Sequence, residues 1–224
     1  MNFSWALEIS RLKNYATMLL ALSSGLLSQL ALADESPRDG LFDSAALYAG
    51  QGVDHNLPEL PGRILGGDID WEKSYFAGVG LSKTIGTLGE SIEYLQDKSF
   101  GAIRHGYELV VVKHHGLQDN LEAGAAYVLR TPDAHLGLLG VNFSAGVGLS
   151  YAFDTPTYED GPEDDPDERY RLQLLALFEL EWRLRGVEQL SFVTRIHHRS
   201  GVYGIIAPPH VGSNFLVAGV RWEF

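Results

Sequence analysis

Residues 140–153 read GVNFSAGVGLSYAF. Val141, Phe143, Ala145, Val147, Leu149, Tyr151 and Phe153 fall on one side of an extended chain, and Asn142, Ser144, Gly146, Gly148, Ser150 and Ala152 on the other. Successive strand side chains point to opposite faces, so this alternation makes one apolar face and one small or polar face. The next stretch, RYRLQLLALFELEWRL at 169–184, repeats the pattern. Its Tyr170, Leu172, Leu174, Ala176, Phe178, Leu180, Trp182 and Leu184 alternate with Arg171, Gln173, Leu175, Leu177, Glu179, Glu181 and Arg183. Wound as a helix, that segment would carry charge all round.

Working outward, the same period appears at 42–50, 73–83, 105–115, 121–131, 189–200 and 214–224. That makes eight segments. Most have about the ten residues a tilted strand needs to cross a bilayer. The last, NFLVAGVRWEF, sets Leu216, Ala218, Val220, Trp222 and Phe224 on one face. A terminal Phe after alternating apolar residues resembles the closing strand of bacterial outer-membrane barrels. On the opposite faces lie Glu108, Glu122, Glu179, Glu181, Arg183, Arg195, Arg221 and Glu223. In a soluble sandwich such charges would be solvated outside; in a membrane barrel they would pair inside. The expectation is an all-β, eight-stranded antiparallel transmembrane barrel of outer-membrane type. Its interior would be filled by side chains, which disfavours a wide channel.

The start of the chain fits export. Arg11 and Lys13 precede the apolar run 15–33, and Ala31-Leu32-Ala33 has the small-x-small form of a cleavage site. Residues 1–33 are therefore expected to be a signal peptide and 34–224 the barrel. The chain carries a net charge of −12 and no basic stripe, so nucleic acid is a poor partner. It has no cysteine, which excludes disulfides, thiolate metal sites and a cysteine nucleophile. With the last strand ending in the periplasm, loops 51–72, 116–120, 154–168 and 201–213 face outside. Residues 84–104 become an unusually long periplasmic turn, with SIEYLQDKS a candidate helical turn. The acidic run DTPTYEDGPEDDPDERY at 154–170 reads as a solvated loop. The alternative for that run is a divalent-cation site bridging to lipid phosphates, although it lacks known ligand spacing. His114 and His115 point to opposite faces as strand neighbours, so they are assigned to the rim rather than to one metal ion.

Near the end of the chain, QLSFVTRIHHRSGVYG carries Phe192, Thr194 and Ile196 on the lipid face. Continued alternation places His198 and Ser200 on that face, side by side. A histidine so placed can take the proton of a serine nucleophile. Polar groups on a lipid-facing wall are costly unless they sit at headgroup level or serve a function. A rim pair binding water or headgroups is the plainer reading.

These residues resemble the lipid A deacylase (PagL-type acyloxyacyl hydrolase) family of eight-stranded outer-membrane barrels. That family has a His-x-Ser pair on the penultimate strand, facing the outer leaflet. The matching residues are His198-Arg199-Ser200, followed by Gly212-Ser213-Asn214. The resemblance implies a serine esterase that removes an ester-linked acyl chain from lipid A or a related glycolipid, with no cofactor. Ser200 would be nucleophile and His198 base. Gly201 stands where the family has Asn, so backbone N–H groups of Gly201 and its neighbours would hold the oxyanion. No acid opens the last strand, and Asn214 would orient His198, as an amide does in Cys-His-Asn triads. Arg199 is the candidate contact to lipid phosphate. The alternative is a non-enzymatic structural or lipid-binding barrel with the acidic loop as its interaction surface.

Overall fold

The computed structural model describes residues 40–161 and 168–224, so the expected signal peptide lies outside the described residues. Among the described residues nine strands form: β1 Ser44–Val53, β2 Trp71–Thr87, β3 Arg104–Gly116, β4 Leu121–Arg130, β5 Ala134–Leu136, β6 Leu139–Ala152, β7 Leu172–Leu184, β8 Leu190–Ser200 and β9 Gly212–Glu223. Two short helices, α1 Leu60–Gly66 and α2 Leu88–Ser91, sit in connections. Each long strand pairs antiparallel with its neighbours, β9 pairs with β1, and β4 pairs with β6. Eight strands thus close into a barrel, while β5 is a short flap hydrogen-bonded to β6. Closure leaves no unpaired edge, the condition for crossing lipid with strands.

All eight expected segments are barrel strands. β2 is longer than 73–83 because it runs on to Thr87. α2 and the 3-10 turn Glu93–Leu95 occupy the long turn, where a helical turn was expected. β7 begins at Leu172 rather than 169, so Tyr170 falls outside the lipid-facing row.

Leu109, Val111, Phe143, Val147, Leu149, Leu172, Phe192, Val220 and Trp222 lie exposed on the outer wall. Glu108, Glu122, Glu179, Glu181, Arg195 and Arg221 of the other face are buried inside, and Arg183 and Glu223 are partly buried towards one end. An apolar exterior round a charged interior is the arrangement of a barrel set in a bacterial outer membrane, where a cation on the lipid side costs about 2–4 kcal/mol at mid-bilayer.

The interior has three levels. Towards the β2–β3 turn end, Arg195 donates from Nε to Glu179 at 2.9 Å and from Nη2 to Glu108 at 2.9 Å. Arg221 donates to the other oxygen of Glu179 at 2.6 Å, and Ser191 to Glu181 at 2.6 Å. The Tyr48 ring lies 4.3 Å from the Arg195 guanidinium. It fits because Gly80 faces it: a Cβ there would stand 2.8 Å from the ring. Above this network lies an apolar layer of Phe76, Val110, Val112, Leu175, Leu177 and Val217. At the opposite mouth, the end expected to face outside, a second polar layer forms. His114 and His197 each meet Glu122 through Nε2, at 2.8 and 3.0 Å. His114 is wholly buried there, so it is an interior residue and not a rim one. His115 is exposed and stacks on Tyr75.

Candidate functional site

β8 alternates without a break. Val193, Arg195, His197 and Arg199 are buried inside, whereas Thr194, Ile196, His198 and Ser200 keep partial exposure on the outer wall. His198 and Ser200 stand two residues apart, roughly 6.6 Å along the strand. On β9, Asn214 is the partner of His198 and Gly212 the partner of Ser200. Gly212 puts no side chain beside the serine. Its φ of +148° and a Cβ position 2.1 Å from the Arg199 carbonyl explain why a glycine stands there.

His198 Nδ1 lies 2.8 Å from Asn214 Oδ1, and Asn214 Nδ2 lies 2.8 Å from the His55 carbonyl. The carbonyl can only accept, so the amide must turn its NH2 to His55 and its oxygen to His198. The oxygen in turn accepts, so Nδ1 of His198 carries the proton. Nε2 keeps its lone pair, the state a general base needs. His55 belongs to the loop between β1 and β2 that carries α1. Its own Nε2 accepts the Asp70 N–H at 3.0 Å, which fastens that loop over Asn214. Asn214 is consequently buried although its position faces outward.

Two expected roles do not fit. The Gly201 N–H donates to the Val211 carbonyl at 3.2 Å, and its own carbonyl accepts from Ile206 and Ala207. Its amide is already engaged, so Gly201 is not the oxyanion donor. The following Val202 and Tyr203 hold φ of 54° and 50°, a strained conformation for these residue types. Arg199 is fully buried and points inward. It donates from Nε to Ser150 at 2.7 Å, from Nη2 to the Arg171 carbonyl at 2.8 Å, and to Glu159. Packed inside the wall, it does not reach a lipid headgroup.

Glu159 also corrects the reading of the acidic run. Residues 154–161 are not simply solvated: Glu159 is 1% exposed and Asp160 bridges to Gly212. The Tyr158 ring packs on Phe215 at 5.4 Å, and a Cβ on Gly52 would meet its hydroxyl at 2.6 Å. Burial raises the Glu159 carboxyl to about 7, against the lowering effect of Arg199 and with a further rise from Glu122. Among the described residues, no three histidine or acid side chains cluster to hold a metal ion.

A serine–histidine hydrogen bond lies at the turn end. Ser91 Oγ and His105 Nε2 are 2.6 Å apart, and the Tyr127 hydroxyl is 2.7 Å from His105 Nδ1. Thr87 and Glu90 close a capping box that sets α2, and thus Ser91, over the buried imidazole. The sequence offered no signal for this contact. Its residues share no motif, and the long turn brings them together. Neither did it flag the His55 carbonyl, since a backbone group has no sequence signature.

No protein-family model matches the sequence, and no curated protein matches it either. Among solved structures, the chain is similar to the outer-membrane enzyme PagL, with a TM-score of 0.50 and 12% identity over 80% of this chain and 99% of that one. It also resembles Neisserial surface protein A, with a TM-score of 0.46 and 11% identity over 82% of this chain and 97% of that one. A third is LpxR from Salmonella typhimurium, with a TM-score of 0.33, 14% identity, and 81% and 68% coverage. At 12% identity the likeness to the PagL structure is one of fold, that of an outer-membrane eight-stranded β-barrel.

Proposed function

We propose that the chain is an outer-membrane serine esterase that removes an ester-linked acyl chain from lipid A or a related glycolipid. Ser200 Oγ attacks the ester carbonyl while His198 Nε2 takes its proton. The proton passes to the departing alkoxide. Water then hydrolyses the acyl-enzyme by the same base, and Ser200 recovers its hydrogen. Asn214 holds the imidazole upright through Nδ1. The oxyanion falls to a donor other than Gly201. A lipid in the outer leaflet would lie along the wall with its ester at the level of Ser200, so the reaction needs no cavity.

The observation that carries this reading is the chain from the His55 carbonyl through the Asn214 amide to His198 Nδ1. It fixes the imidazole in its basic tautomer beside an outward serine. The likeness to PagL, described as an outer membrane enzyme, agrees with it. The engaged Gly201 amide favours the second reading, a non-enzymatic structural or lipid-binding barrel.

The test is fatty-acid release from lipid A by the refolded barrel, wild type beside Ser200→Ala. Release by wild type that the variant loses is the expected result. Release by neither folded protein would sink the esterase and leave the structural barrel.

A further inference from the structure

Glu159 is a buried ionisable group that the proposed reaction does not use. It reaches the barrel mouth from the loop after β6, and five strands supply its surroundings. Arg199 of β8 and Gln173 of β7 donate to it, and Ser213 Oγ of β9 lies 3.4 Å from its Oε1. Glu122 of β4 stands on the far side of Arg199, 3.9 Å from its Nε, together with His197 of β8 and His114 of β3. The flanking residues are held as well. Asp160 N–H donates to the Gly212 carbonyl at 3.0 Å, and the Tyr158 hydroxyl meets the Val53 carbonyl at 3.4 Å.

One oxygen, Oε1, is shared by Arg199 and Ser213. Arg199 lies between His198 and Ser200, and Ser213 immediately precedes Asn214. In a strand, neighbours point to opposite faces, so a clamp on the inward residues fixes the outward ones. We propose that Glu159 is the positioning residue of the outward site: from inside the barrel it clamps β8 to β9 and so holds His198, Ser200 and Asn214 in mutual register. This rests on the esterase reading for its catalytic consequence, though not for its geometry. The strap Tyr158–Asp160 thereby couples an external loop to the site.

The clamp has a pH sign. Docked, the Glu159 carboxyl sits near 7; free, it has the ordinary value of 4.5. Docking therefore takes up a proton. The strap is held most firmly below the free value and loosens as pH rises through about 7. The facing arginine opposes this shift, and the Glu122 carboxylate reinforces it.

The test uses Glu159→Gln, which keeps the volume and cannot ionise, with Glu159→Ala as the second variant. Each is compared with wild type for fatty-acid release and for the ring-nitrogen NMR signals of His198 in detergent. Expected for Glu159→Ala is a kcat lower by about tenfold to a hundredfold with KM unchanged, and displaced His198 signals. Wild type is expected to lose kcat as pH rises above 7, and Glu159→Gln to keep it. Unchanged kcat and unchanged His198 signals in both variants would overturn the proposal. Should wild type release no fatty acid, the esterase reading fails alone. Displaced His198 signals then still support the clamp, and unchanged ones remove it.

Discussion

The barrel carries a serine beside a histidine at both of its ends, and the two pairs differ in what holds the imidazole. At the turn end, His105 has a hydroxyl on each nitrogen, Ser91 on Nε2 and Tyr127 on Nδ1. A hydroxyl gives or takes a proton equally well, so neither nitrogen is assigned. At the mouth, His198 faces an amide oxygen whose direction is imposed by the His55 carbonyl. That oxygen only accepts, so Nε2 is left basic. The direct serine contact at the turn end thus says less about the state of its imidazole. The proposed reaction needs a partner that fixes the tautomer, whereas hydrogen bonding alone ties a turn to a wall.

The comparison breaks most easily on the serines. Ser200→Ala is expected to lower fatty-acid release by at least about 10³-fold, whereas Ser91→Ala leaves it within about twofold of wild type. Equal losses, read in the same vesicle assay, would mean that the two ends had been ranked wrongly.

The next effect belongs to stability and to the turn-end interior. Arg195→Met removes one of the two guanidiniums shared by Glu108 and Glu179 and leaves Arg221 alone between them. Breaking a buried pair this way costs about 3–5 kcal/mol. Denaturant unfolding in detergent micelles should show that loss, while release per folded barrel stays near wild type. A collapse of activity in the folded fraction would show that the apolar layer of Phe76, Leu175 and Leu177 does not insulate the mouth.

Asn214→Ala sharpens the argument about tautomers. With its acceptor gone, His198 is free to protonate either nitrogen, and kcat is expected to fall by about 10². Tyr127→Phe, the parallel change at the other end, should leave kcat where it was. The smallest effect is on folding: Ser91→Ala removes one hydrogen bond to His105 and should cost about 1 kcal/mol. An unfolding midpoint unmoved by that change would mean α2 is held by its capping box alone.

The fold was legible because lipid and a closed sheet leave little choice. Alternation in 140–153 and 169–184 has one arrangement that puts Phe143, Leu149, Leu172 and Leu180 outside and Asn142, Ser150, Glu179 and Glu181 inside. His198 and Ser200 were placed on the outer wall by the same parity. What parity could not give was what lies over a strand end. Arg199 read as a contact to lipid phosphate because its partner Glu159 comes from a run that looks merely solvated. Gly201 read as an oxyanion donor because the Val211 carbonyl that takes its N–H is ten residues away through a tight loop.

By itself the sequence determined the period, the number of barrel strands, the sign of each face and the placing of His198 and Ser200 two residues apart on one face. These follow from backbone geometry, which repeats every two residues whatever the partners. Only the tertiary structure decided which inward charges meet, that the acidic run folds into the mouth, and that Asn214 turns its oxygen to His198. Those depend on groups far apart in the chain, the His55 carbonyl and the Glu159 carboxyl among them. Closure of the barrel brings such groups to within hydrogen-bonding distance of β8 and β9, and a local pattern does not encode that approach.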